Sequence, residues 1–218
     1  MSGTYAPKPK LLDLFCGAGG AGMGYHWAGF DVTGVDIKPQ KHYPFAFVCE
    51  DALTYLQAHG RDFDAVHASP PCQRYSIATP HARREQHPDL LGPTRDALQA
   101  NDRPWVIENV PGAPMRADFR CCGCWLGLEL RRERLFETSW HAFELRPPCK
   151  HEYPVVSVVG HGTPSWVRKQ LGYNPTIHQY RAAMGIDWMN RNELSEAIPP
   201  AYTAYVGRHL MRALDVAA

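Results

Sequence analysis

A chain of 218 residues, 44% hydrophobic and 21% charged, has the composition of an ordinary globular protein and can bury one sizeable core, so one domain over residues 1–218 is expected. A net charge of +1 and an isoelectric point near 7.7 exclude a globally basic nucleic-acid binder, so any phosphate contact must come from local clusters. Seven cysteines, no apolar signal core in Met1–Lys10 and no membrane-length apolar run predict a reduced, cytoplasmic protein without a membrane partner.

In chain order, the apolar runs Leu11–Phe15, Val32–Ile37, Ala46–Cys49, Phe63–Ala68 and Trp105–Ile107 alternate with amphipathic segments such as Ala52–His59 and Thr94–Ala100. That alternation predicts an α/β fold with a mostly parallel sheet flanked by helices. Later, Leu135–Thr138 and Val155–Val159 read as strands, and Ala201–Leu214 reads as a closing helix after Pro199-Pro200. The stretch from Ser139 to Pro175 is the least regular, and a small appended element is expected there.

The first run ends in Asp13-Leu14-Phe15-Cys16-Gly17-Ala18-Gly19-Gly20, a strand, a glycine turn and a helix start, where a ligand can approach the backbone. Asp36 ends the next strand, placed for a ribose diol, and Asp51 follows the third, placed for an adenine amino group. These residues predict a nucleoside-cofactor site. Gly17-x-Gly19-x-x-Gly22 also fits a dinucleotide fingerprint, so a nicotinamide dehydrogenase stays open at this point.

The fourth strand runs into Ser69-Pro70-Pro71-Cys72-Gln73. Two prolines hold a thiol outside regular structure at the carboxyl edge of the sheet, which suits a nucleophile; a packed, inert thiol is the alternative. The fifth strand ends in Glu108-Asn109-Val110, with a carboxyl group at the same edge. A carboxylic acid there can donate to a ring nitrogen if burial raises its pKa, whereas in a solvated loop it would cap a turn or pair with an arginine.

Asp13–Gly20, Pro70–Gln73 and Glu108-Asn109-Val110 resemble, in order and spacing, the first, fourth and sixth motifs of the cytosine-5 DNA methyltransferase family. Arg131-Arg132-Glu133-Arg134 resembles its eighth motif, and Tyr180–Met184 with Ala197-Ile198-Pro199-Pro200 resembles the ninth and tenth. The resemblance implies a Rossmann-like, S-adenosylmethionine-dependent methyltransferase of the short phage or bacterial kind. It implies Cys72 as nucleophile, Glu108 as partner of the ring nitrogen, Arg134 as donor to the cytosine carbonyl and Arg132 as its support. Phe15, Gly17, Gly20, Asp36, Asp51 and Pro71 would line the cofactor site. The substrate implied is double-stranded DNA, with protection from restriction as the family-level role; the same chemistry on transfer RNA is the alternative, and a non-catalytic nucleic-acid-binding module is another.

The stretch Arg74–Arg95 is rich in basic residues, with Arg74, His81, Arg83, Arg84, His87 and Arg95, and reads as a loop closing on a phosphate backbone, to which Gln73 and Ser76 would also contribute. Arg74 or Arg134 could increase the thiolate fraction of Cys72. Three departures from the family pattern are visible. The interval 135–175 is a much reduced target-recognition insert, so either this stub reads the target or a partner chain supplies specificity. Leu130 stands where glutamine is usual, and Ser195-Glu196 where glycine and asparagine are usual. Finally, Cys121, Cys122, Cys124, Cys149 and His151 lack paired Cys-x-x-Cys spacing and read as ordinary thiols with no metal expected; a zinc site pinning the stub is the alternative.

Overall fold

The computed structural model describes residues 7–140, 142, 148–151, 156–158 and 165–217. Seven strands form one sheet: β1 (Lys10–Leu14), β2 (Asp31–Asp36), β3 (Ala46–Cys49), β4 (Ala65–Ala68), β5 (Trp105–Asn109), β6 (Phe119–Cys121) and β7 (Arg134–Thr138). The order is β3-β2-β1-β4-β5-β7-β6. Strands β1 to β5 are parallel, and β7 runs antiparallel to both of its neighbours. The strand order therefore reverses between β1 and β4, and the carboxyl ends flanking that reversal are where an open α/β sheet binds ligands. The expected α/β architecture is observed.

Helices cover both faces: α1 (Gly20–Ala28), α2 (Ala52–His59), α3 (Leu91–Asn101), α4 (Ser165–Leu171), α5 (Ile177–Met184), α6 (Arg191–Glu196) and α7 (Pro200–Ala217). Side-chain alternation along each strand sorts the core into two layers. Leu11, Val32, Ala65 and Val106 meet Tyr25 of α1 and Tyr202, Val206 and Leu210 of α7. Leu12, Leu14, Val35, Val66 and Ile107 meet Leu56 of α2 and Leu91 and Leu98 of α3. The same alternation puts Asp13, His67 and Glu108 on the α1/α7 face, one residue pair apart from strand to strand: Asp13 is in register with His67, and His67 with Val106. All three are buried.

The helix ends follow from local chemistry. Asp51 caps α2 by accepting from the Leu53 and Thr54 amides at 3.1 and 2.9 Å. Thr176 with Gln179 and Asn190 with Glu193 form capping boxes that start α5 and α6. The longest helix, α7, lies against α1, where Thr203 Oγ1 donates to the Ala21 carbonyl at 2.8 Å.

Three sequence expectations change. The short strand β6 was not predicted; three residues give too little pattern to read. Of the expected strand Val155–Val159, Val155 and Val159 lie outside the described residues, and Val156 makes a single parallel bridge to Leu130. Leu135–Thr138 forms a strand as expected, but as part of β7 it belongs to the main sheet, although the interval expected to hold the insert begins at residue 135. No helix of the described residues is long and apolar enough to cross a membrane.

Candidate active site

The Cys72 loop leaves β4 at the carboxyl edge of the sheet. Its backbone is fixed from β5, where Asn109 Nδ2 donates to the Pro70 carbonyl at 3.0 Å. The Cys72 carbonyl then accepts from the Tyr75 and Ser76 amides, each at 2.9 Å, which turns the chain just after the thiol. Cys72 and Pro71 are half-buried.

Beside the thiol, Glu108 and Arg134 form an ion pair, Arg134 Nε to Glu108 Oε1 at 2.9 Å. β5 and β7 pair antiparallel, so the end of one strand meets the beginning of the other, and this brings Glu108 and Arg134 together. Arg132 lies behind them, 4% exposed. It donates to the carbonyls of Val158 and Ser195, while its own carbonyl accepts from Tyr202 Oη at 2.6 Å. Arg132 thus ties the segment before β7 to the α6 end, and Ser195 takes part through its backbone. Burial, together with Arg134, pulls the Arg132 pKa down to about 9.

Burial raises the Cys72 thiol above its ordinary value; Arg134 opposes this, Glu108 adds to it and Arg132 opposes it. Arg134 thus acts in the expected direction, towards the thiolate, but burial outweighs it. Arg74 takes no part, because it turns to the His87 carbonyl and to Asp89. The Glu108 carboxyl is also raised, by burial first, against Arg134, Arg132 and a hydrogen bond from Ser69. That is the direction a proton donor needs at neutral pH.

Ser69 heads a buried chain that sequence reasoning missed. Tyr25 Oη lies 3.0 Å from His67 Nδ1, and His67 Nε2 lies 2.8 Å from Ser69 Oγ. Burial lowers the His67 pKa to about 3, so the ring is neutral. With Glu108 ionised, Ser69 donates to the carboxylate, so Nε2–H donates to Ser69 and Tyr25 donates to Nδ1. The signal available in the sequence was a histidine two residues before Ser69 on an otherwise apolar strand.

At the other side of the reversal, Phe15 adopts φ 56° and Gly17 φ 48°. A left-handed phenylalanine is a strained position, and such positions cluster at binding sites. Asp36 accepts from the Gly17 and Lys38 amides at 3.0 Å each, which holds the turn around the strand end. A Cβ on Gly17 would meet nothing within 4 Å, so open space lies above this turn; exposed Ile37 adjoins it. Gly20 has a different reason to be glycine, since a Cβ there would stand 2.4 Å from the Ile198 carbonyl. It packs α1 against the segment before α7. Trp188 Nε1 pins the same loop by donating to the Ala18 carbonyl at 2.9 Å. Asp51 spends Oδ1 on capping α2, a local role not anticipated.

The model of the C-5 cytosine-specific DNA methylase family matches residues 9–117, half of the chain. The chain belongs to that family. A curated relative, the type II methyltransferase M.XorII of Xanthomonas oryzae pv. oryzae, is 34% identical over a 122-residue alignment that covers 48% of this chain and 29% of that protein. The chain thus spans under a third of the length of that relative. Solved structures share the fold at low identity. A prophage-encoded E. coli protein assigned as a DNA modification methyltransferase is 14% identical with a TM-score of 0.63, over 95% of this chain and 100% of that one. The Entamoeba histolytica methyltransferase EhMeth is 14% identical with a TM-score of 0.62, over 96% and 99%. The S. pombe Dnmt2 methyltransferase is 13% identical with a TM-score of 0.62, over 95% and 99%.

Within this C-5 methylase fold, the basic loop is less uniform than its sequence suggested. Gln73, His81 and Arg83 are exposed, whereas Arg84 turns back to the Thr79 carbonyl and Ser76 Oγ caps the Ala78 amide. Arg95 lies on α3 and makes a two-bonded pair with Glu137 at 2.9 and 2.8 Å, so it does not belong to the loop. Ile77 is 96% exposed five residues after Cys72. Leu130, one departure from the family pattern, is buried against Val158, Tyr180 and Met184 and serves packing. Among the five metal-capable residues, Cys121 points into the core, but Cys122, Cys124, Cys149 and His151 converge, with ligand atoms all within 4.8 Å of one another. The zinc site weighed as the alternative to ordinary thiols would therefore draw on these four residues and not on Cys121.

Proposed function

We propose that this chain transfers a methyl group to carbon 5 of cytosine in DNA through a covalent adduct at Cys72. The observation that carries the proposal is the half-buried thiol set beside a Glu108–Arg134 ion pair at the carboxyl edge of the sheet.

S-adenosylmethionine fits the other half of that edge. The turn from Phe15 to Gly17 opens on unfilled space, and Asp36 stands at its rim with Ile37 exposed beside it. Phe15, Gly17, Asp36 and Pro71 would hold it, and Asp51 Oδ2 remains to accept from a base amino group. Bound there, the cofactor supplies an electrophilic methyl group.

The protein's residues supply the rest. A flipped cytosine, whose extrusion costs a few kcal/mol of unstacking, is taken between Cys72 and Glu108. The thiolate forms a bond to carbon 6, and the Glu108 proton moves to ring nitrogen 3, so negative charge does not build on the ring. Arg134 donates to the base carbonyl from the position in which it now holds Glu108. After carbon 5 carries the methyl group, its proton leaves to water, the Cys72 thiolate is expelled and the proton on ring nitrogen 3 returns to Glu108, which restores the neutral aromatic ring and the carboxylic acid. Arg83 and His81 of the loop face solvent where a phosphate backbone would pass, and Ile77 offers an apolar wedge for the vacated stack.

Only a short stub remains for reading the target. A lax or short target, or specificity from a partner chain, is therefore part of the proposal, as is a single catalytic unit over the chain. The test is transfer of tritiated methyl groups from S-adenosylmethionine to duplex DNA, with structured RNA run in parallel. Incorporation into DNA that disappears in Cys72→Ser is expected. Incorporation into RNA alone would move the substrate to RNA, and none into either polymer would end the enzymatic reading.

A further inference from the structure

We propose that Cys122, Cys124, Cys149 and His151 form a structural zinc site that clamps the end of β6 to the segment following β7. The four ligand atoms, one from each side chain, lie within 4.8 Å of one another. The Cys122 Sγ to His151 Nε2 separation is 3.5 Å. In a tetrahedral site with zinc–sulfur and zinc–nitrogen bonds of ordinary length, a sulfur-to-nitrogen edge measures about 3.6 Å and a sulfur-to-sulfur edge about 3.8 Å. Cys149 lies within hydrogen-bonding reach of both Cys122 and Cys124. The cluster therefore already has nearly the dimensions of a closed tetrahedron.

The spacing supports the same ligand set once Cys121 is removed from it. Strand alternation in β6 sends Cys121 into the core, packed with Phe119 and Phe136, and turns Cys122 to the opposite side. What remains is Cys-x-Cys at 122 and 124 and Cys-x-His at 149 and 151, two matched pairs. The short helical turn Gly123–Trp125 brings the first two sulfurs together. Three thiolates and one imidazole are a soft, four-ligand set with no carboxylate, which selects zinc in a closed, structural geometry. The Lys150 amide donates to the Cys124 sulfur, an outer contact of the kind that orients metal thiolates. No disulfide joins any pair of these cysteines; one disulfide would use two sulfurs and leave the third, with His151, aimed at the same point.

The placement gives the site a purpose. Cys121, one residue before the first ligand, is in register with Arg134, the first residue of β7. A metal bridging Cys122 and Cys124 to Cys149 and His151 closes the chain around β7 and fixes the strand end that carries Arg134. Cross-links of this kind stabilise by shortening a long open loop.

The experiment uses the full chain, purified without a metal-affinity tag in reducing buffer, with metal content read by mass spectrometry. About one zinc per chain is expected. Replacement by cobalt should give the visible bands of a tetrahedral centre together with sulfur-to-cobalt charge transfer. Cys149→Ser and His151→Ala should each lose most of the metal, and Cys49→Ser, at an exposed cysteine away from the cluster, should keep it. Wild-type protein that holds no zinc and gives no tetrahedral cobalt spectrum overturns the proposal. Because that spectrum is taken on the wild type, a variant that fails to fold does not decide the question, and metal content is read independently of methyl transfer.

Discussion

Arg134 Nε stands 2.9 Å from Glu108 Oε1, and both side chains are largely buried. The raised pKa of Glu108 shows that burial outweighs this pairing. Removing Arg134 should therefore push the Glu108 pKa higher still. A carboxyl whose folded pKa exceeds its unfolded one contributes stability at low pH that is lost as pH rises through the folded value. Arg134→Ala should thus cost on the order of 3 kcal/mol at pH 8 and less at pH 5, since lowering the pH favours the protonated carboxyl. Urea denaturation at the two pH values measures this; an equal cost at both would show that the pair does not govern the carboxyl.

The relay behind Glu108 predicts a kinetic signature. Ser69 donates to the carboxylate and so favours its ionised form. Ser69→Ala removes that donor, and the Glu108 pKa should rise. If Glu108 acts as proton donor, the alkaline limb of the pH profile of kcat/KM moves to higher pH, while kcat falls because the carboxyl is less well held. A merely structural Ser69 would lower activity without moving the limb. His67→Phe should act in the same direction, since it removes the donor that orients Ser69.

How far the sequence carried depends on chain separation. The strands β1, β2, β4 and β5 were legible because the covered faces of a parallel sheet leave mostly apolar runs, and the edge strand β3, only half-buried, still carries the apolar Ala46–Cys49. Cys72, Glu108 and Arg134 were legible as motif residues, but their mutual placement needed the antiparallel pairing of β5 with β7, a long-range fact. The Tyr25–His67–Ser69 chain joins residues 42 positions apart, and no local pattern encodes it. The convergence of Cys122, Cys124, Cys149 and His151 was not legible for a local reason: Cys121 sits beside Cys122 in sequence and hides the paired spacing, and only the fold places Cys121 in the core.

Two glycines of the first motif should respond differently to alanine. At Gly20 a Cβ would lie 2.4 Å from the Ile198 backbone carbonyl, and backbone cannot yield as a side-chain tip can. Gly20→Ala should destabilise the fold by about 1–3 kcal/mol. At Gly17 the space is open, so Gly17→Ala pays only the left-handed backbone, about 1–2 kcal/mol. It should instead raise the KM for S-adenosylmethionine, because the added methyl enters the proposed cofactor space. Thermal unfolding and a cofactor titration on both variants separate the effects; a Gly17→Ala chain with unchanged cofactor affinity would remove that residue from the site.

Asp13 lies beneath the same turn, fully buried, with Oδ1 lacking a partner among the described residues and Oδ2 accepting from Tyr43 Oη at 3.2 Å. Burial, with a smaller contribution from Asp36 and against hydrogen bonds from Tyr43 and the Gly22 backbone, raises its pKa from 3.8 to about 7. Between those values the folded chain binds a proton that the unfolded chain has released. Stability from this group is therefore complete below about pH 4 and declines by up to about 1.4 kcal/mol per pH unit until pH 7. Asp13→Asn keeps the shape and removes the titration. Its stability relative to wild type should rise across pH 4 to 7 by a few kcal/mol and level off above, as read by denaturant midpoints at pH 5, 6, 7 and 8. A difference that stays constant over that range would mean that Asp13 is charged in the folded protein throughout, with its charge balanced by groups other than Tyr43.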